Sequence, residues 1–104
     1  MAQRSFTERL TAAQERADLT ISDLAVWFDR PRSTVNTWVA GRTPSGPSGR
    51  LALEALERLE WGLKQKQGLP VPADLSGMDR PGYVEGTRDA VAASHRVSAL
   101  HSAR

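Results

Sequence analysis

The sequence predicts a small all-α domain of four to five helices, followed by a C-terminal extension. Apolar residues recur at helical spacing in four successive segments, and capping patterns and a proline mark where helices start. The chain has 104 residues and no cysteine, so neither disulfides nor thiolate metal sites can stabilise it. Its helices must therefore pack around a buried core.

Two helices are predicted near residues 5–17 and 21–28. The first begins after a possible N-cap at Ser5 and carries one apolar stripe, formed by Phe6, Leu10, Ala13 and Ala17. In the second, Thr20 and Asp23 have the spacing of a capping box, in which each side chain accepts the other's backbone N–H. The expected inner face of this helix consists of Leu24, Ala25 and Phe28.

A tight turn is predicted at Asp29, Arg30 and Pro31. Proline disfavours helical geometry in the preceding residue but suits a first helical turn, so a third helix is expected over residues 32–40. Asp29 is its expected cap, and Val35 and Trp38 are expected to face the core. Two short helices joined by a tight turn, the second with a polar, acid-free outer face, are typical of a helix-turn-helix.

A fourth amphipathic helix is expected at about residues 48–67, after a loop rich in Pro, Gly and Ser. Trp61 lies beside the apolar stripe of this helix. It is either an exposed anchor for a partner or a residue covered by the tail, and the second interpretation is favoured because a large ring beside a stripe is usually partly buried.

The pattern divides the chain into three parts. Residues 1–67 form the predicted helix-turn-helix domain, residues 68–86 a Pro/Gly-rich linker, and residues 87–104 a C-terminal tail. The tail is weakly amphipathic, with four apolar residues in line: Ala90, Ala93, Val97 and Leu100. It could be a helix that docks on the domain, pairs with a copy of itself, or stays mobile.

The net charge of +2 is concentrated in one window. Residues 30–53 hold four arginines and no acid, whereas the segments on either side are neutral or acidic. Such a local basic patch is expected of a nucleic-acid-binding protein. The alternative is a solvated arginine cluster that has no partner.

Other function classes find little support in the residues. No apolar run approaches the roughly 20 residues of a membrane helix, and the N-terminus lacks a signal peptide, so a cytoplasmic location is expected. Without cysteine, a glycine-rich phosphate loop or a His near an acid in the core, we expect neither an enzyme nor a cofactor. His95 and His101 fall on different faces of the tail, so no metal site is expected.

The run LTISDLAVWFDRPRSTVNTWVAGRTP resembles the phage repressor and Cro-like helix-turn-helix family, also called the xenobiotic-response-element type. The resemblance covers about residues 5–66 and implies a lambda-repressor-like fold in a bacterial or phage-encoded protein. The matching residues are Leu24, Ala25, Ser33, Thr34, Val35, Trp38, Gly41 and Pro44. The resemblance implies that the structural core of the motif is Leu24, Ala25, Phe28, Val35 and Trp38.

Three positions depart from the family's pattern. The family's turn usually has Gly where this chain has Asp29, and an aliphatic residue where it has Arg30. Asp tolerates left-handed backbone geometry, so the turn is still expected to form. The family often opens the first motif helix with Gln; Ile21 stands there instead, so a phosphate contact falls to Thr20 or Ser22 or is lost.

The resemblance also implies roles for the polar residues, because the second helix of such a motif lies in the major groove. The residues expected at base edges are Arg32, Ser33, Asn36 and Thr37. Arg suits guanine and Asn suits adenine, so Arg32 and Asn36 are expected to carry most direct readout. The residues expected at phosphates, which set register, are Thr20, Ser22, Arg30, Thr34, Arg42 and Arg50.

Two functions remain open at this point. The first is a sequence-specific, repressor-like transcriptional regulator that binds double-stranded DNA as a homodimer, because one recognition helix reads few base pairs. The second is a phage assembly or antitoxin-type interaction protein. It would use the helix-turn-helix as a docking module and would bind itself or another protein through Trp61 or residues 87–104.

Overall fold

The computed structural model describes the backbone of residues 4–102 and the side chains of residues 4–100. Within these residues the chain forms five α-helices and no strand, which confirms the all-α prediction. The helices are α1 (Phe6–Ala17), α2 (Ile21–Phe28), α3 (Arg32–Val39), α4 (Gly46–Gln65) and α5 (Arg80–Ser102). None of the described helices is both long and apolar enough to cross a membrane.

Both of the first two helices begin with a complete capping box. Ser5 accepts the backbone N–H of Glu8, and the Glu8 carboxylate accepts that of Ser5. At the start of α2, the Thr20 hydroxyl accepts the N–H of Asp23 at 3.1 Å and the Asp23 carboxylate accepts the N–H of Thr20 at 2.9 Å. These bonds use backbone donors that a helix otherwise leaves unpaired, so they fix where each helix starts.

Asp29 ends α2 and does not cap α3, contrary to expectation. Its backbone is left-handed (φ 52°, ψ 52°). Asp tolerates this geometry, so the turn forms without a glycine here. The Arg30 N–H donates to the Ala25 carbonyl at 3.1 Å and closes the helix end. Because Asp29 belongs to this closure, the N-cap of α3 falls to Pro31, which makes no side-chain cap bond.

The core draws on all five helices. Its fully buried larger side chains are Leu10, Leu24, Val35, Leu56, Leu59, Val84 and Val91. The last two belong to α5, which therefore contributes to the same core as the first four helices. α5 packs against both α2 and α4.

The expected linker over residues 68–86 is wrong in its second half. α5 begins at Arg80, seven residues before the expected start, because Pro81 stands in the first helical turn, where a missing N–H costs no bond. The first half is also not a free spacer. Leu69 and Val71 are buried, and the Val71 N–H donates to the Ala17 carbonyl at 2.9 Å.

Close contacts hold α5 on α4. Gly62 allows the approach, since a Cβ at this position would lie 3.1 Å from a methyl carbon of Val91. The Gln67 amide donates to the Ser94 hydroxyl at 2.9 Å. Trp61 packs edge-to-face on His95, with ring centroids 5.3 Å apart. Trp61 therefore lies under the tail, which was the favoured interpretation of its sequence position.

Asp23 joins α5 to the start of α2. Its side chain is nearly buried, and Oδ2 accepts from Arg80 Nη2 at 2.6 Å and from Arg80 Nε at 3.1 Å. Burial raises the pKa of Asp23, but the hydrogen bonds from Arg80 and Thr20, together with the charge of Arg80, outweigh it. The pKa of Asp23 is therefore lowered overall, so the charged carboxylate stabilises the folded state.

Replacing Asp23 by Asn should lower the free energy of unfolding at pH 7 by about 1–3 kcal/mol, because Arg80 loses its charged acceptor. Since the folded-state pKa is depressed, this contribution is present above the unfolded pKa of about 4 and is lost as the pH falls through the folded value. Urea denaturation should therefore show a gap between the wild-type protein and Asp23→Asn that closes in acid. Glu54→Gln, at an exposed position on α4, is the matched control and should change little.

Candidate nucleic-acid interface

The inner face of α3 is held against α1 and α2. Trp38 makes edge-to-face contacts with Phe6 and Phe28, at centroid distances of 5.6 and 5.5 Å. The Thr7 hydroxyl donates to the Trp38 carbonyl at 2.6 Å, and Val35 is fully buried. These contacts fix the rotation of α3 about its own axis and confirm the predicted inward direction of Val35 and Trp38.

The remaining core residues of the motif are placed as expected, with one exception. Leu24 and Phe28 are buried, but Ala25 is only half-buried and lines a shallow depression beside Arg30. Ala25 nevertheless packs against the buried cluster, so its predicted place on the inner face is confirmed in part. The depression lies between the α2–α3 turn and α5. Trp27 is also buried in the core, and its indole N–H donates to the Ala55 carbonyl at 3.0 Å.

The outer face of α3 is exposed and polar. It consists of the four residues expected at base edges: Arg32, Ser33, Asn36 and Thr37. Spacings of one, three and four residues place these side chains on one side of the helix. Thr37 donates its hydroxyl proton to the Thr34 carbonyl at 2.6 Å, so its methyl group is the part left for an external contact.

The residues expected at phosphates differ in how exposed they are. Four of them are exposed: Thr20, Ser22, Arg42 and Arg50. The Thr20 hydroxyl oxygen already caps α2, so this group can meet a phosphate only by donating its proton. Thr34 and Arg30 are half-buried. Arg30 Nη1 donates to the Asp29 carbonyl at 3.0 Å, which ties one edge of its guanidinium to the turn.

The arginines of residues 30–53 keep their charge unneutralised within the described chain. Salt bridges there join Arg9 to Glu60, Arg80 to Asp23 and Arg88 to Asp89, and none involves this window. Arg32, Arg42 and Arg50 also lie on the surface. A concentration of exposed positive charge without internal partners attracts polyanions.

Two residues that position this surface were not identified from the sequence. Arg88 Nη1 donates to the Val26 carbonyl at 2.8 Å, and Arg80 bonds both Asp23 and the Asp18 carbonyl, so α5 holds both ends of α2. Arg80, Val84, Arg88 and Val91 recur at helical spacing, which is a signal in retrospect. A search for apolar periodicity counts arginine as polar, although the aliphatic part of its side chain can cover apolar surface.

The described residues offer no cluster of three or more His, Cys, Asp or Glu groups that could hold a metal ion. The His95 ring packs on Trp61, and the side chain of His101 lies outside the described part of the chain. The Arg, Ser, Thr and Asn side chains of the α2–α3 surface supply positive charge and hydrogen-bonding groups.

Comparison with protein-family models, curated proteins and solved structures found no match to this chain. The interpretation of the α2–α3 surface therefore depends on its own residues and on how the fold presents them.

The two faces of α3 should respond differently to truncation. Trp38→Ala removes the ring between Phe6 and Phe28 and should lower the free energy of unfolding by about 3–5 kcal/mol. Asn36→Ala, two residues away on the exposed face, should change it by less than about 0.5 kcal/mol. Urea denaturation of both variants measures the difference. A comparable loss for Asn36→Ala would mean that the outer face serves the fold and is not free for a ligand.

Proposed function

We propose that α2 and α3 form a helix-turn-helix that binds double-stranded DNA, with α3 in the major groove. The observation that carries this proposal is the exposed, acid-free polar face of α3 opposite the buried Val35 and Trp38. A helix that reads base edges must be held firmly by its own protein on one side and left unoccupied on the other. The three-residue turn at residues 29–31 supports the same proposal.

Each side chain of the outer face has a fitting base contact. Arg32 can donate two hydrogen bonds to O6 and N7 of guanine, and Asn36 can bond N6 and N7 of adenine. The Ser33 hydroxyl can donate to or accept from several bases. Thr37 offers its methyl to thymine, because its hydroxyl proton is engaged at the Thr34 carbonyl.

The phosphate contacts would come from the surrounding elements. Thr20 and Ser22 lie at the start of α2, Arg42 follows α3, and Arg50 stands near the start of α4. Arg30 has one guanidinium N–H tied to the Asp29 carbonyl, and its other N–H groups remain for a phosphate, as does the hydroxyl of Thr34. Such contacts orient the protein on the duplex and make binding dependent on salt.

The most specific form of the proposal is a repressor-like transcriptional regulator that acts as a homodimer in a bacterial or phage setting. One recognition helix contacts few base pairs, so specificity comes from two copies on half-sites about one helical turn apart. In this proposal the protein binds DNA without performing chemistry on it.

A second candidate, an assembly or antitoxin-type interaction protein, is favoured by exposed apolar residues. Trp61 is half-buried against His95, which argues against it as the anchor. Among the described residues, four large apolar side chains on the helices remain at the surface: Leu51, Leu53, Val97 and Leu100. In this candidate a partner protein would cover some of them and the α3 face would serve docking alone.

Selection of bound sites from random duplex DNA should return a consensus for the wild-type protein. Arg32→Ala and Asn36→Ala should each lose information at particular bases and weaken binding to the consensus site by about 1–3 kcal/mol. Arg42→Ala should weaken binding to all sequences alike and reduce the salt slope by about 1, because it removes a phosphate contact. The charge-matched control is Arg16→Ala, at an exposed position in α1 outside the arginine window.

Two results would overturn the proposal. The first is that folded protein enriches no sequence and binds duplex no better than Arg32→Ala. The second is that Arg16→Ala weakens binding as much as Arg42→Ala, which would indicate diffuse charge in place of a defined surface.

A further inference from the structure

The apolar stripe of the C-terminal helix faces outward. Ala90, Ala93, Val97 and Leu100, which the sequence places in line, are all exposed, with Val97 at 53% and Leu100 at 68%. α5 docks on the domain through another face, which buries Val84 and Val91. The docking residues are therefore not the residues of the stripe, and the stripe is left uncovered by the described chain.

The exposed stripe has the spacing of a helix-pairing seam. Starting from the half-buried Tyr83, its positions alternate by three and four residues: Tyr83, Gly86, Ala90, Ala93, Val97 and Leu100. This spacing is the heptad pattern by which one helix packs along another. We call these six residues the α5 seam.

The seam is narrow at one end and bulky at the other. Gly86, Ala90 and Ala93 are small, and a Cβ built at Gly86 would meet nothing within 4 Å. A shallow depression at this end is lined by Gly82, Tyr83, Gly86 and Ala90 among others. Val97 and Leu100 protrude at the opposite end. The seam thus carries both the knobs and the hollow that would receive them.

We propose that the α5 seam binds a second copy of this chain in an antiparallel, two-fold symmetric pair. In the register that matches the seam to itself, Val97 of the partner subunit lies over Gly86 and Leu100 of the partner subunit lies beside Tyr83. Ala90 packs against Ala93 of the partner subunit. Every contact occurs twice, as two-fold symmetry requires.

Charges beside the seam fit the same register. Asp89 and Arg96 are exposed, lie one heptad apart, and flank the seam on the same edge. Antiparallel pairing places Asp89 opposite Arg96 of the partner subunit, at two symmetric positions. The Asp89 carboxylate already accepts from Arg88 Nε at 3.1 Å through Oδ1, which leaves Oδ2 for this second cation.

This self-complementarity is what selects a second copy over another occupant. In a parallel pair Gly86 would face Gly86 of the partner subunit and leave a gap. Val97 and Leu100 would each face the same large residue of the partner subunit. A foreign helix would not need to carry small residues, large residues and both charges in one matched order. The dimer inferred here goes beyond DNA binding and holds whether or not the α3 face meets a duplex.

Sedimentation of the full chain over a range of concentrations tests the pairing. We expect the mass to rise from the 11.4 kDa of one chain toward twice that value. Gly86→Gln should weaken the dimer at least tenfold, because the added side chain occupies the space that Val97 of the partner subunit needs. Far-UV circular dichroism should keep its helical signal, because a Cβ at this position meets no protomer atom within 4 Å. Val97→Asp should act in the same way. Met78→Asp, at a 93% exposed position outside the seam, is the control and should leave the association unchanged.

A charge exchange tests the register. Arg96→Asp should weaken the dimer, because Asp89 of the partner subunit then faces a second acid, and adding Asp89→Arg should restore it. A chain that stays monomeric at every concentration overturns the proposal, and so does a dimer that is insensitive to Gly86→Gln. Failure of the double exchange to restore association overturns the antiparallel register. None of these measurements involves DNA, so they test the pairing through α5 separately from DNA binding by the α3 face.

Discussion

The wedging of Trp38 between Phe6 and Phe28 is the contact on which the α2–α3 surface depends. A short helix such as α3 is marginal by itself in water and takes its stability from the face that it buries. The Trp38 ring joins α3 to α1 and α2 at once, and the Thr7 bond to the Trp38 carbonyl secures the end of the helix. Because this ring fixes the rotation of α3 about its axis, the opposite side of the helix must face outward. The exposure of its polar residues is therefore a consequence of packing.

Asp23 makes a second connection of the same kind. Its carboxylate completes the capping box that starts α2 and also accepts both Arg80 bonds from α5. One side chain thus serves local structure and long-range docking, and Arg88 holds the other end of α2 through the Val26 carbonyl. α2 is clamped between α3 and α5. A movement of α5 would therefore shift the start of α2, where Thr20 and Ser22 are proposed to contact phosphates.

The first four helices were predictable because their signals are local. Capping boxes, the Pro31 break and a helical period each act within a few residues, and the observed helix ends lie within two residues of those expected. A C-terminal helix was expected, but α5 starts seven residues before the expected position, for a physical reason. Pro81, Gly82 and Gly86 suggest a linker by composition, yet proline is compatible with a first turn and both glycines are exposed. The docking face also relies on bonds from Arg80 and Arg88 to groups 57 and 62 residues away in sequence, which a local pattern does not reveal.

The apolar stripe of α5 does not coincide with the face that the helix buries. The fully buried side chains of α5 are two valines among polar neighbours. These polar groups are satisfied by the Val26 carbonyl of α2, the Asp18 carbonyl at the end of α1 and the Gln67 side chain just after α4. Burial of such a face costs little because few donors are left unpaired. The more apolar stripe is left exposed on the single chain, and nothing in the packing of the five helices requires it to be apolar. Substitutions in this stripe, like those on the polar face of α3, do not disturb the core. Binding by either surface can therefore change without a change in the stability of the fold.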